Sequence, residues 1–171
     1  MFRIIAMGMI LLGCIGTGIS MTARNREAYR QTCQFRRMLQ QVLSELKNGR
    51  KPLEEALREQ SLHGRGIAGI LLRETVAGCE QNRAVSVGNT WEAVFEKHRA
   101  EILLRRENYE NLKTCFTVRG ANPRQFFEQL EEWILALQQS EKKMQEDMGQ
   151  RERLYLCVGF GTGVIGVILL L

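Results

Sequence analysis

Proline is nearly absent: the 171 residues hold two, Pro52 and Pro123. With few β-branched runs and no stretch alternating at period two, that scarcity excludes a strand-built fold and favours helices. Histidine is equally sparse, at His63 and His98. Neither has a cysteine or carboxylate at a recognised metal-ligand spacing, so both read as solvated surface residues. The five cysteines include no CxxC pair. Cys14 and Cys157 sit in apolar stretches, while Cys33, Cys79 and Cys115 are far apart between them. This excludes a disulfide framework and suits free thiols in a reducing compartment. A net charge of +5 is far below the clustered charge of a nucleic-acid binder. No GxSxG nucleophile motif, internal repeat or low-complexity linker occurs.

What the chain does have is an apolar run at each end. Ile4 to Ala23 and Leu154 to Leu171 carry no charge. Each is long enough to span a hydrocarbon core of roughly 30 Å at roughly 1.5 Å per helical residue. The sequence therefore divides into an N-terminal transmembrane anchor over residues 1–23, a helical domain over 24–153 and a C-terminal transmembrane helix over 154–171. The middle is large enough for one core. Two other readings of the first run stay open. Met21-Thr22-Ala23 loosely resembles a signal-peptide cleavage site, and Leu11-Leu12-Gly13-Cys14 resembles a lipobox that would make the protein an exported lipoprotein anchored through Cys14. The apolar stretch continuing past Cys14 favours an uncleaved anchor.

Flanking charge sets the orientation. Only Arg3 precedes the first run, whereas Arg24, Arg26, Arg30, Arg36 and Arg37 follow it, and Lys142, Lys143, Arg151 and Arg153 precede the second. Both flanks predict a cytoplasmic middle with both termini on the other side. Arg24, Arg26, Arg30, Lys142, Lys143, Arg151 and Arg153 are thus candidate membrane-facing residues, each adding about 1 kcal/mol of attraction to an anionic leaflet. They also suffice as plain topology determinants. Gly161 to Gly166 spells GxGxxG, but it lacks the preceding strand and downstream acid of a dinucleotide fingerprint. Gly159, Gly163 and Gly166 instead form a candidate transmembrane packing face.

Between the runs the apolar spacing predicts about six helices. Phe35, Met38, Leu39, Val42, Leu43 and Leu46 mark the first, over about 25–47. A short second helix follows Pro52 and frays at 61–66; a third covers about 67–80 through Ile67, Ile70, Leu71, Glu74 and Ala77. After a loop over 81–88, Asn89 or Thr90 caps a fourth helix bearing Trp91, Val94 and Phe95. A fifth is predicted over about 103–118. The last starts at Pro123 after an Asn122 cap and is able to continue into the second apolar run. Glu54, Glu55, Glu131, Glu132 and Glu141 read as surface carboxylates paired along their own helices. Trp91, Trp133, Phe126 and Phe127 occupy core positions. First and last helices packed antiparallel would carry the 48–51 and 119–123 turns to a tip about 35–45 Å from the bilayer. Nothing here points to a catalytic site, a cofactor or a metal; the composition favours a binding or scaffolding protein.

The order of these features resembles a known family. Arg36-Arg37-Met38-Leu39-Gln40-Gln41-Val42-Leu43-Ser44-Glu45-Leu46, then Pro52-Leu53-Glu54-Glu55-Ala56-Leu57, Thr90-Trp91-Glu92-Ala93-Val94, a turn at Gly120, Gln125, a long last helix and a terminal span are similar to the stage III sporulation protein AB family. The turn that relatives tend to write Leu-Gly is Arg119-Gly120 here, and Glu45-Leu46 stands for the usual Glu-Ile. The resemblance implies an antiparallel six-helix bundle similar to the cytoplasmic domains of type II secretion and pilus platform proteins. It further implies a place in the mother-cell membrane, in the channel complex linking mother cell and forespore, with the ATPase stage III sporulation protein AA as partner. Under that reading the tip residues Asn48, Arg50, Lys51, Arg119 and Asn122 are candidate partner contacts. A platform component of another secretion or pilus system is the alternative.

Overall fold

A computed structural model describes residues 2–49, 52–82, 85–117 and 123–170, with side chains over 20–48, 52–82, 85–117 and 124–147. Among the described residues there are six helices and no strand: α1 (Phe2–Gly49), α2 (Leu53–His63), α3 (Gly66–Gln81), α4 (Val87–Lys97), α5 (Arg106–Lys113) and α6 (Pro123–Leu170). Two compact units result. One combines Met1–Tyr29 with Lys142–Leu171; the other is the bundle Arg30–Glu141. Both apolar runs belong to the first unit, and the backbone of residues 4–23 and 154–170 is helical. Among the described residues no helix is long and apolar enough to cross a membrane. Apart from Ser20 to Ala23, the side chains of the predicted spans 4–23 and 154–171 lie outside that set.

In the bundle, α1 buries the face its spacing predicts: Phe35, Met38, Leu39, Val42 and Leu43. The α3 face is rotated from the expected one. Ile67, Ala68, Leu71, Leu72 and Thr75 are buried, while Ile70 is 37% exposed and Ala77 is also exposed. Glycine at the α2–α3 turn explains the rotation. A Cβ on Gly69 would lie 2.3 Å from the Gly64 carbonyl carbon, and one on Gly64 would lie 2.8 Å from Gly69 Cα. The two backbones therefore touch, and Gly69 must face α2. Gly66 between them has φ +64°, the left-handed region that glycine enters without steric cost.

Helix α4 starts earlier than the Asn89 or Thr90 cap predicts. Ser86 is its N-cap, accepting from Asn89 N at 3.3 Å. Tertiary contact favours the earlier start: Val87 is buried, and a Cβ on Gly88 would lie 2.4 Å from Phe116 O. Trp91 is fully buried, edge-on to Phe116 at 5.0 Å, and donates its indole N–H to Leu112 O at 2.8 Å.

The fifth helix is shorter than the 103–118 predicted, because Ile102 to Arg105 precede it without helical structure. Gln31 holds this stretch. Its amide is 4% exposed, donates to Glu101 O at 3.0 Å and accepts from Leu103 N at 2.8 Å. One side chain of α1 thus replaces two backbone bonds that a continuous helix would have made itself. At the other end of α5, residues 114–117 turn, with Thr117 N donating to Thr114 O at 3.0 Å. That turn presents the Phe116 carbonyl to Gly88.

Gln31→Leu is expected to lower unfolding free energy by about 1–3 kcal/mol, since it strands a partly buried N–H and C=O. Gly69→Ala is expected to cost about 1–3 kcal/mol by forcing α2 and α3 apart. Urea midpoints of the variants against the parent protein check both. Unchanged midpoints would mean that neither contact restrains the fold.

Candidate functional site

Ion pairs fix how α1 and α6 run against each other within the bundle. Arg36 grips Glu141 with two nitrogens, Nε to Oε2 at 2.6 Å and an Nη to Oε1 at 3.4 Å. This is the fork geometry that makes guanidinium–carboxylate pairs strong. The Cys33 thiol donates to the same carboxylate. Burial raises the Glu141 pKa, but Arg36 and Cys33 outweigh it and hold the carboxyl below its usual range. Eleven positions further along α1, Lys47 pairs with Glu131. Arg36 beside Glu141 and Lys47 beside Glu131 make the helices antiparallel. The end of α1 at Gly49 and the start of α6 at Pro123 therefore lie at one end of the bundle. Glu141 and Glu131 are tied to α1, and the expected pairing along their own helix is corrected. A partner more than 80 residues away leaves no local spacing to read.

Of the five predicted tip residues, Asn48 is described: it is exposed and donates to Ser44 Oγ at 3.3 Å. Arg50, Lys51, Arg119 and Asn122 lie outside the described residues. Among the basic candidates, Arg24, Arg26, Lys142 and Lys143 are exposed in the unit of chain ends, and Arg30 is exposed in the bundle. The side chains of Arg151 and Arg153, and the surroundings of Gly159, Gly163 and Gly166, lie outside the described set.

Two polar clusters bind the middle helices together. In the first, His98 corrects the expectation of a solvated histidine: its side chain is 12% exposed. Nδ1 sits 3.0 Å from Glu101 Oε1 and Nε2 sits 3.0 Å from Glu74 Oε1. A neutral imidazole has one donor, so the imidazolium alone satisfies both carboxylates. The hydrogen bond to Glu101 leads in raising the His98 pKa; burial opposes it and the Glu74 contact adds to the rise. Glu74 is held low, first by Lys97 at 2.8 Å and then by His98. The i,i+3 spacing of His98 and Glu101 was a legible signal; Glu74, one helix earlier, was not.

The second cluster centres on Glu96, which accepts from Tyr109 Oη at 3.0 Å and pairs with Arg99 at 3.1 Å and Lys113 at 3.3 Å. These contacts lower the Glu96 pKa, Tyr109 foremost. Burial, helped by Glu96, pushes the Tyr109 phenol up to about 12. Cys33, Cys79 and Cys115 form no disulfide, and full burial raises Cys115 well above the usual thiol range. Such a thiol packs and does not attack. Among the described residues no group of three or more histidine, cysteine or acidic side chains is arranged to hold a metal ion. The chemistry of both clusters is cohesion between helices.

The family model for stage III sporulation protein AB matches residues 3–171. A solved structure of a stage III sporulation protein AB is similar at 22% identity and a TM-score of 0.64, covering 72% of this chain and 97% of that one. At that identity the likeness speaks for the fold. No curated protein matches the chain.

The His98 clamp carries a pH signature. Its folded pKa is raised, so its stabilisation is complete below the unfolded histidine value of about 6.5 and is lost as pH rises through the folded value. The melting temperature is expected to fall across that interval, and His98→Gln is expected to remove the slope. An equal slope in the variant would rule the clamp out.

Proposed function

Because this chain belongs to the stage III sporulation protein AB family, which gives it a role in sporulation in an endospore-forming bacterium, we propose that it is a non-enzymatic scaffold of the channel complex between mother cell and forespore. Residues 4–23 and 154–171 cross the mother-cell membrane, and the charged middle stands in the cytoplasm with both termini on the opposite side. Hydropathy and the one-sided Lys and Arg flanks support this topology. The bundle docks the complex's cytosolic ATPase, related to stage III sporulation protein AA, through the end where α1 stops and α6 starts. Arg50, Lys51, Arg119 and Asn122 with Asn48 are the contacts. Gly159, Gly163 and Gly166 pack the second span against a neighbouring helix, and the basic flanks lie at the lipid surface.

The antiparallel pairing of α1 with α6 carries this reading. It puts the end of α1 at Gly49 and the start of α6 at Pro123 at one end of the bundle, and the chain leaves the bundle at Arg30 and Glu141, the opposite end. A partner can engage the turn end without touching Arg30 or Glu141, where the chain leaves the bundle for the apolar runs. The polar clusters described above hold helices together, which suits a part that transmits force or fixes position.

Protease added outside intact mother cells is expected to leave the middle domain uncut; digestion there would instead favour the exported lipoprotein anchored at Cys14. With topology established, the double change Arg50→Glu and Lys51→Glu is expected to cut co-purification of the ATPase by about tenfold, the scale of a lost interfacial charge pair. Undiminished recovery, with normal spore yield, would remove the turn end as the docking surface.

A further inference from the structure

We propose that the cleft between α2 and α3 receives a short basic segment of a partner protein, in which lysine or arginine flanks an aliphatic side chain. The cleft holds about 600 Å³. Its existence follows from the glycine turn. Gly64 and Gly69 press the backbones of α2 and α3 together at that end, and the space opens between the helices toward Pro52 and Glu80. The lining includes Leu57, Thr75, Val76, Cys79 and Val87, and Val85 stands at its edge, 38% exposed. An aliphatic side chain entering there would replace water against Val76, Cys79 and Val85, which are partly exposed, the ordinary driving force for apolar anchoring.

Charge selects the class of partner. Among the described residues the same lining carries Glu54, Glu55 and Glu80 against Arg58, on a chain whose net charge is +5. The Arg58–Glu80 contact, at 3.6 Å between two exposed side chains, is a weak tie that an incoming cation can exchange. An acidic segment or nucleic acid would be repelled by these carboxylates, whereas a basic one gains from Glu55 and Glu80. This inference is separate from the ATPase reading: the cleft is built by α2, α3 and the start of α4, and Asn48, the described tip residue, is not part of its lining.

The test places a photo-crosslinking benzoylphenylalanine at Val85 in the full chain, in sporulating cells, and reads the attached peptide by mass spectrometry. The expected product is a segment of another protein with net positive charge and an aliphatic residue. Its yield is expected to fall about tenfold when Glu55→Lys and Glu80→Lys are combined, and by a smaller factor with Glu55→Gln and Glu80→Gln, which keep shape and remove charge. An unchanged melting temperature certifies each background; if the reversal does not fold, the glutamine pair decides. A neutral or acidic segment, a second copy of this chain, no crosslink, or a yield indifferent to these changes would overturn the proposal.

Discussion

The bundle depends on one helix touching nearly everything else. Over residues 31–47, α1 supplies a partner to each neighbouring region. Gln31 secures the non-helical link before α5, and Phe35 meets the Phe95 ring of α4 at 6.0 Å. Glu45 accepts from Gln60 of α2, while Arg36 and Lys47 pair with α6. Between these polar ties runs the apolar row of Phe35, Leu39 and Val42, each fully buried. Burying such side chains contributes about 1.5–3 kcal/mol apiece, so the row outweighs any single ion pair around it. The ion pairs set direction and register; the row sets adhesion.

That division explains what was legible in the residues. The α1 face is visible because its apolar positions repeat at helical spacing, and Pro52 and Pro123 each stand at a helix start. What was not legible lies where a distant contact overrides local preference. Ile70 looks like a core residue, yet the Gly64–Gly69 backbone contact turns it outward. Leu103 and Leu104 stand at the start of the predicted fifth helix, yet the Gln31 amide bonds Glu101 O and Leu103 N and the segment is not helical. His98 looks like a surface residue because Glu74 is supplied by another helix. Of the candidate site, the end of α1 and the start of α6 could be read from the chain, but their common end of the bundle rests on Arg36–Glu141 and Lys47–Glu131.

The polar wiring also bears on function. Carboxylates in this bundle are spent on lysine, arginine, histidine and tyrosine of neighbouring helices, as at Glu74, Glu96 and Glu141. Such cross-links resist relative sliding of helices, most of all at Arg36–Glu141, whose side chains are 20% and 15% exposed and would lose their partner in a partly desolvated place. A scaffold benefits from that stiffness. The role proposed above, holding position between a membrane and a cytosolic partner, requires no more than such cohesion.

Amide hydrogen exchange tests the central place of α1 most directly. If the bundle is organised around it, the amides of Phe35, Leu39 and Val42 exchange only through global unfolding, at the slowest rate in the chain's bundle unit. Those of α2, α3 and α5 open sooner. Faster exchange in α1 than in the α2–α3 pair would contradict the account and make the glycine-locked hairpin the organising element.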